Sequence, residues 1–92
     1  MNCRNWIYDI FSKCNKCEGQ NNLSNDDLTA INLSYSTING TDFSKSILLD
    51  ANFDYAKFGS TKFENSDMTN ALITHDVLQN VDLKGANLKG AD

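Results

Sequence analysis

Three cysteines near the amino terminus have the residue type and spacing most suggestive of chemistry. Cys14 and Cys17 form a C-x-x-C pair, which is half of a typical zinc site, and Cys3 adds a third thiolate. The single histidine, His75, is distant in sequence, so no fourth ligand is at hand. The alternative, which we favour, places all three cysteines on the buried face of a helix. We therefore expect no cofactor and keep the metal site as the minor hypothesis.

His75 is followed by Asp76, a pair that suggests acid–base chemistry. General acid–base catalysis by such a pair also needs a nucleophile or a substrate cleft, and the neighbouring sequence indicates neither. We expect a protein that is not an enzyme.

A column of large apolar residues recurs at every fifth position without exception. Neither an α-helix, with 3.6 residues per turn, nor a strand, whose side chains alternate, brings such a column to one face. The chain must therefore turn once in every five residues so that this position always returns to the inside. The predicted core is Leu23, Leu28, Leu33, Ile38, Phe43, Leu48, Phe53, Phe58, Phe63, Met68, Ile73, Leu78, Leu83 and Leu88.

Small residues form a second column, two positions before each large one. They are Ser36, Thr41, Ser46, Ala51, Ala56, Thr61, Ser66, Ala71, Ala86 and Ala91. One large and one small inward residue in every five fill a narrow tube, and the mostly polar residue between them is expected to point to water. Asp26, Ile31 and Asp76 depart from the small column. Because an unpaired buried carboxylate is costly, we predict a bulge or an outward turn at Asp76.

Several five-residue segments resemble a known repeat unit. Ala-Asn-Phe-Asp-Tyr at 51–55, Val-Asp-Leu-Lys-Gly at 81–85 and Ala-Asn-Leu-Lys-Gly at 86–90 resemble the A(D/N)LXX unit of pentapeptide-repeat proteins, and the resemblance extends over residues 21–92. It implies an all-β solenoid, a right-handed quadrilateral parallel β-helix with four pentapeptides in each 20-residue coil. About 3.6 such coils fit this stretch, and parallel pairing of the coils agrees with the absence of proline.

The first 20 residues lie outside the repeat. Their apolar residues recur at spacings of three and four, which predicts an amphipathic helix. An open solenoid end needs a cap, so we assign residues 1–20 to an N-terminal helical cap and residues 21–92 to the repeat domain.

The coil implied by the resemblance stacks residues that are 20 positions apart. Tyr35, Tyr55 and His75 then form an exposed ladder on the third face. Two interpretations stay open: the ladder is part of an interaction surface, or it only stabilises the stacked coils. Exposed apolar residues at Ile47 and Leu49 on the second face, with others at Leu72 and Val77, extend the candidate surface.

The charge balance separates the hypotheses about function. The chain has a net charge of −4, which argues against direct binding to nucleic acid. Some pentapeptide-repeat proteins resemble a DNA duplex in shape and charge and regulate DNA gyrase, so a DNA mimic is our alternative. Here, however, the stacked column Asp42, Lys62 and Asp82 alternates in sign. Our first hypothesis is a module or scaffold that binds another protein, whose identity the sequence leaves open.

Location and self-association follow from the remaining features. No apolar run is long enough for a membrane span and no signal peptide is visible, so we expect a cytoplasmic protein that does not bind membranes. The sequence stops mid-repeat at Asp92. Either it is truncated or another chain covers this end, and a homodimer through the uncapped C-terminal end is one hypothesis.

Overall fold

A computed structural model describes residues 22–92 as a stack of short parallel β-elements. Three strands, β1 (Thr37–Asn39), β2 (Lys57–Gly59) and β3 (Val77–Gln79), form one parallel sheet in the order β1-β2-β3. The predicted N-terminal helix and the candidate ligands Cys3, Cys14 and Cys17 lie outside these residues. Within 22–92, no helix has the length and apolarity to cross a membrane.

The pairing offset is 20 residues throughout this part of the chain. Ile38 lies opposite Phe58, and Phe58 opposite Leu78, while isolated bridges join Asn32 to Asn52 and Asn52 to Leu72 with the same offset. Each coil therefore contains four pentapeptides. We number the faces of the coil by their inward residues: the first face holds Phe43, the second Leu48, the third Phe53 and the fourth Phe58.

A left-handed residue ends almost every pentapeptide and turns the chain toward the next face. Tyr35, Tyr55 and His75 have φ angles of 61°, 60° and 59°, and Gly40 has a φ of 72°. Across each such turn, an amide donates to a carbonyl three residues earlier, as from the Ala56 N to the Phe53 O at 3.0 Å. This conformation is the physical basis of the five-residue period.

The outward Asn and Asp residues fix these turns, which goes beyond the solvent-facing role predicted for them. The Asn52 Oδ1 accepts a hydrogen bond from the amide of Asp54 at 2.9 Å, and the Asn32 Oδ1 accepts one from the amide of Ser34 at 3.0 Å. A short side chain with an oxygen at this position closes a local ring onto the backbone two residues on. The repeat therefore favours Asn and Asp for conformational reasons as well as for solubility.

Phenylalanine rings fill the centre of the tube. Phe43 and Phe63 stack in adjacent coils with ring centroids 5.1 Å apart, and Phe53 packs edge-on against Phe58 at 5.4 Å. Ile31, a large residue at a small-residue position, is also fully buried. The buried members of the large apolar column run from Leu23 to Met68.

The last residues of the large apolar column are less buried than predicted. Leu78 is 50% exposed and Leu88 40% exposed, and Ile73 and Leu83 are only partly buried. A solenoid buries each inward residue under the coils on both sides, and no coil follows the last one in this structure. The prediction that Leu78 and Leu88 are core residues was therefore wrong. They line an apolar cavity of about 50 Å³ together with Phe58, Phe63, Met68, Ile73, Val81 and Leu83.

The bulge predicted at Asp76 does not occur. Pairing keeps its 20-residue offset on both sides, from Asn52 to Leu72 and from Lys57 to Val77. The chain tolerates the carboxylate because its Oδ1 accepts a hydrogen bond from the amide of Ala56 at 2.8 Å. The prediction failed because one backbone donor from the preceding coil supplies a partner without any change of course.

Candidate interaction surface

The Tyr–His ladder, formed by Tyr35, Tyr55 and His75, is present on the third face. Its three residues are the left-handed corner residues of successive coils, which directs their side chains outward. The rings of Tyr35 and Tyr55 are 5.0 Å apart and 2° from parallel, and those of Tyr55 and His75 are 4.3 Å apart and 3° from parallel. Offsets of 20 residues thus bring together side chains that are distant in sequence.

Asp54 connects the Tyr–His ladder to the backbone of two coils. The Thr74 hydroxyl donates a hydrogen bond to the Asp54 Oδ1, and the His75 Nδ1 lies 3.3 Å from the same oxygen. The Thr74 bond is the main reason that the pKa of Asp54 is held below its usual value, and His75 lowers it further. His75 therefore pairs with Asp54 across coils, whereas the sequence suggested its neighbour Asp76.

Asp76 lies just inside the corner that carries His75. Its Oδ2 is buried and has no hydrogen-bond partner among residues 22–92. Burial raises the pKa of Asp76 to about 6, and the nearby charge of Asp54 raises it as well, although the amide of Ala56 opposes the shift. This carboxyl is a strained part of the third coil and does not belong to the exposed surface.

The other candidate surface residues do not join the Tyr–His ladder. Ile47, which is 41% exposed, pairs with Asp27 and Asp67 on the second face, and Leu49 is only partly exposed. Leu72 and Val77 are exposed instead and lie within three residues of His75. The 20-residue offset predicted the ladder, but the link through Asp54 and Thr74 depends on side-chain reach between coils, which the sequence pattern does not contain.

The chemistry of this surface is that of binding. No group of three or more His, Cys, Asp or Glu side chains within 22–92 is arranged to hold a metal ion. The candidate thiolate site at Cys3, Cys14 and Cys17 is outside this range. Stacked rings with one oriented carboxylate offer aromatic edges and a hydrogen-bond acceptor, both of which are common in protein interfaces.

Opposite charges alternate along the first face. Asp42 pairs with Lys62, and Lys62 with Asp82, at the 20-residue offset. The hydroxyl of Ser44 and the charge of Lys62 both contribute to holding the pKa of Asp42 below its usual value. This face lacks the uninterrupted negative charge that the DNA-mimic hypothesis needs.

Comparison with known proteins identifies the repeat. Residues 31–70 match the family model described as pentapeptide repeats, in eight copies. A pentapeptide repeat protein from the cyanobacterium Cyanothece 51142 is 27% identical, with a TM-score of 0.70, over 77% of this chain and 46% of that chain. One from the Arabidopsis thaliana thylakoid lumen is 31% identical, with a TM-score of 0.73, over 80% of this chain and 50% of that chain. The chain thus spans about half the length of these structures. No curated protein matches it.

Proposed function

Because this chain belongs to the pentapeptide-repeat proteins, we propose that it is a non-enzymatic module that binds another protein. The finer form of the fold that we propose is the right-handed quadrilateral β-helix. The observation that supports a binding role best is the exposed, parallel stacking of Tyr35, Tyr55 and His75. Aromatic side chains held in one arrangement lose little conformational entropy when a partner covers them.

Hydrogen bonds between coils give the module its rigidity. In the middle of the array, the Lys62 N donates to the Thr41 O at 3.0 Å, and the Phe63 N donates to the Asp82 O at 2.8 Å. Each coil is thus bonded to the one before and the one after it. Outward side chains are held at fixed spacings, which suits a scaffold that presents a preformed surface.

A crosslinking experiment tests the proposed function. We would place p-benzoylphenylalanine, one site at a time, at Lys62, Ile47, Tyr35 and Lys57, which samples the first to the fourth face. In cells of the source organism, we expect ultraviolet light to link the protein to one discrete partner from one face or two adjacent faces. Four silent positions, in protein shown to be folded, would contradict an interaction module.

We also propose that a second copy covers the apolar cavity beside Leu78 and Leu88. The support is its lining, which is entirely apolar, and the exposure of both leucines. We expect light scattering after size-exclusion chromatography to give the mass of a dimer, and Leu88→Glu to give the mass of a monomer. A monomeric wild-type protein at its highest soluble concentration would refute self-association.

The cytoplasmic location stays a prediction. The thylakoid lumen is the printed location of the Arabidopsis relative alone. Fractionation of source cells, with an antibody to this chain, would place the protein, and recovery outside the cytosolic fraction would contradict the prediction.

A further inference from the structure

The third face differs from the others in its charge. Its segments, residues 31–35, 51–55 and 71–75, contain no lysine or arginine, whereas they do contain Asp54. Asp50 lies at the corner where the second face meets the third, because it is the left-handed residue that ends its pentapeptide. Each of the other faces carries at least one lysine: Lys45, Lys62 and Lys84 on the first, Lys89 on the second and Lys57 on the fourth.

The same face carries the most exposed aromatic residues among 22–92. Tyr35 is 75% exposed, Tyr55 43% and Leu72 42%. The edges of the stacked rings therefore form a continuous strip beside the carboxylate of Asp54. That carboxylate is held in one orientation by Thr74 and His75, and its side chain is still 30% exposed. An aromatic strip beside a fixed anion is a preformed site for a cation with a planar, apolar body.

We propose that the third face docks an arginine-bearing basic segment of a partner protein. A guanidinium group suits this surface because it pairs with a carboxylate and also packs its flat faces on aromatic rings. Lysine supplies only the charge, and the carboxylates repel nucleic acid and anionic membranes. This inference rests on the proposed interaction function and adds the chemistry of the partner.

Peptide titration tests the inference on the wild-type protein. The probes are three short peptides that alternate glycine with arginine, with lysine or with citrulline, which is the uncharged analogue of arginine. In spectra of the ¹⁵N-labelled protein, we expect the arginine peptide to shift amides of the third face and to bind at least about threefold more tightly than the lysine peptide. The citrulline peptide should cause no comparable shifts.

Two matched variants locate the site. Asp54→Asn removes a charge on the third face, and Asp67→Asn removes one on the second. We expect Asp54→Asn to weaken binding of the arginine peptide about fivefold, and Asp67→Asn to change it less than twofold. Tyr55→Ser should weaken it by a similar factor to Asp54→Asn, provided that its spectrum is that of a folded protein.

Equal binding of the arginine and lysine peptides would overturn the inference, as would equal effects of Asp54→Asn and Asp67→Asn. Either result would mean general attraction to an acidic rod. A crosslinked partner from another face would then leave the proposed interaction function intact. Silence at all four crosslinking positions would count against that function itself.

Discussion

Replacement of Phe53 by alanine is expected to destabilise the protein by about 3–5 kcal/mol. Phe53 is fully buried, and its ring makes edge contacts with Phe43, Phe58 and Phe63 at centroid distances of 6.1, 5.4 and 5.8 Å. Removing the ring opens a cavity that the coils above and below cannot close, because hydrogen bonds hold them at a fixed spacing. Urea unfolding followed by circular dichroism measures the loss.

A matched pair of leucines isolates the effect of position. Leu48 and Leu88 occupy the same face two coils apart, but Leu48 is fully buried and Leu88 is 40% exposed. We expect Leu48→Ala to cost about 3 kcal/mol and Leu88→Ala no more than about 1 kcal/mol. The measurement should be repeated at several protein concentrations to separate any loss of self-association. Equal costs for the two leucines would contradict burial by neighbouring coils.

Replacement of Asp76 by alanine is expected to stabilise the protein above pH 7, by about 1–2 kcal/mol. The pKa of Asp76 is raised from 3.8 to about 6, so the folded state favours the protonated carboxyl. The contribution of this group is therefore complete below about pH 4 and is lost as the pH rises through about 6. We take less than the full linkage energy because the carboxyl is only partly buried. Alanine leaves no orphan donor, since the Ala56 N also donates to the Phe53 O.

The pH profile is the decisive measurement for Asp76. We would compare the free energies of unfolding of the wild type, Asp76→Ala and Asp76→Asn between pH 4 and pH 8. The difference between the wild type and each variant should favour the variant increasingly as the pH rises from 4 to 7. Asp54 and Asp42 have lowered pKa values and act in the opposite sense, but they cancel in these differences. A variant that is less stable than the wild type at pH 7.5 would disprove the assignment.

Much of the repeat could be predicted because one physical constraint acts at every fifth residue. Only a chain that turns at that interval buries residues from Leu23 to Met68, and the structure buries them in this way. The stacking of Tyr35, Tyr55 and His75 follows from the 20-residue coil implied by the resemblance.

Contacts between specific atoms could not be predicted from the same pattern. Asp76 keeps its place because the amide of Ala56 is within reach, and Asn52 is needed because its oxygen accepts the amide of Asp54. These bonds depend on side-chain direction and on distances of about 3 Å, which a periodicity does not encode. The exposure of Leu78 depends in turn on what lies beyond the last coil and not on its own residue type.

The constant pairing offset also governs how genes for such a protein can change in length. Loss of one to four codons within the array shifts every later apolar side chain off the inner column, whereas loss of five keeps the column intact. A five-codon deletion between Tyr55 and His75 nevertheless turns the following coils by one face, which parts His75 from Tyr55. Only a deletion or duplication of a whole coil, 20 codons, preserves both the core and the alignment of the surface residues. Mutational drift in length should therefore be neutral for folding in steps of five residues, and neutral for binding only in steps of 20.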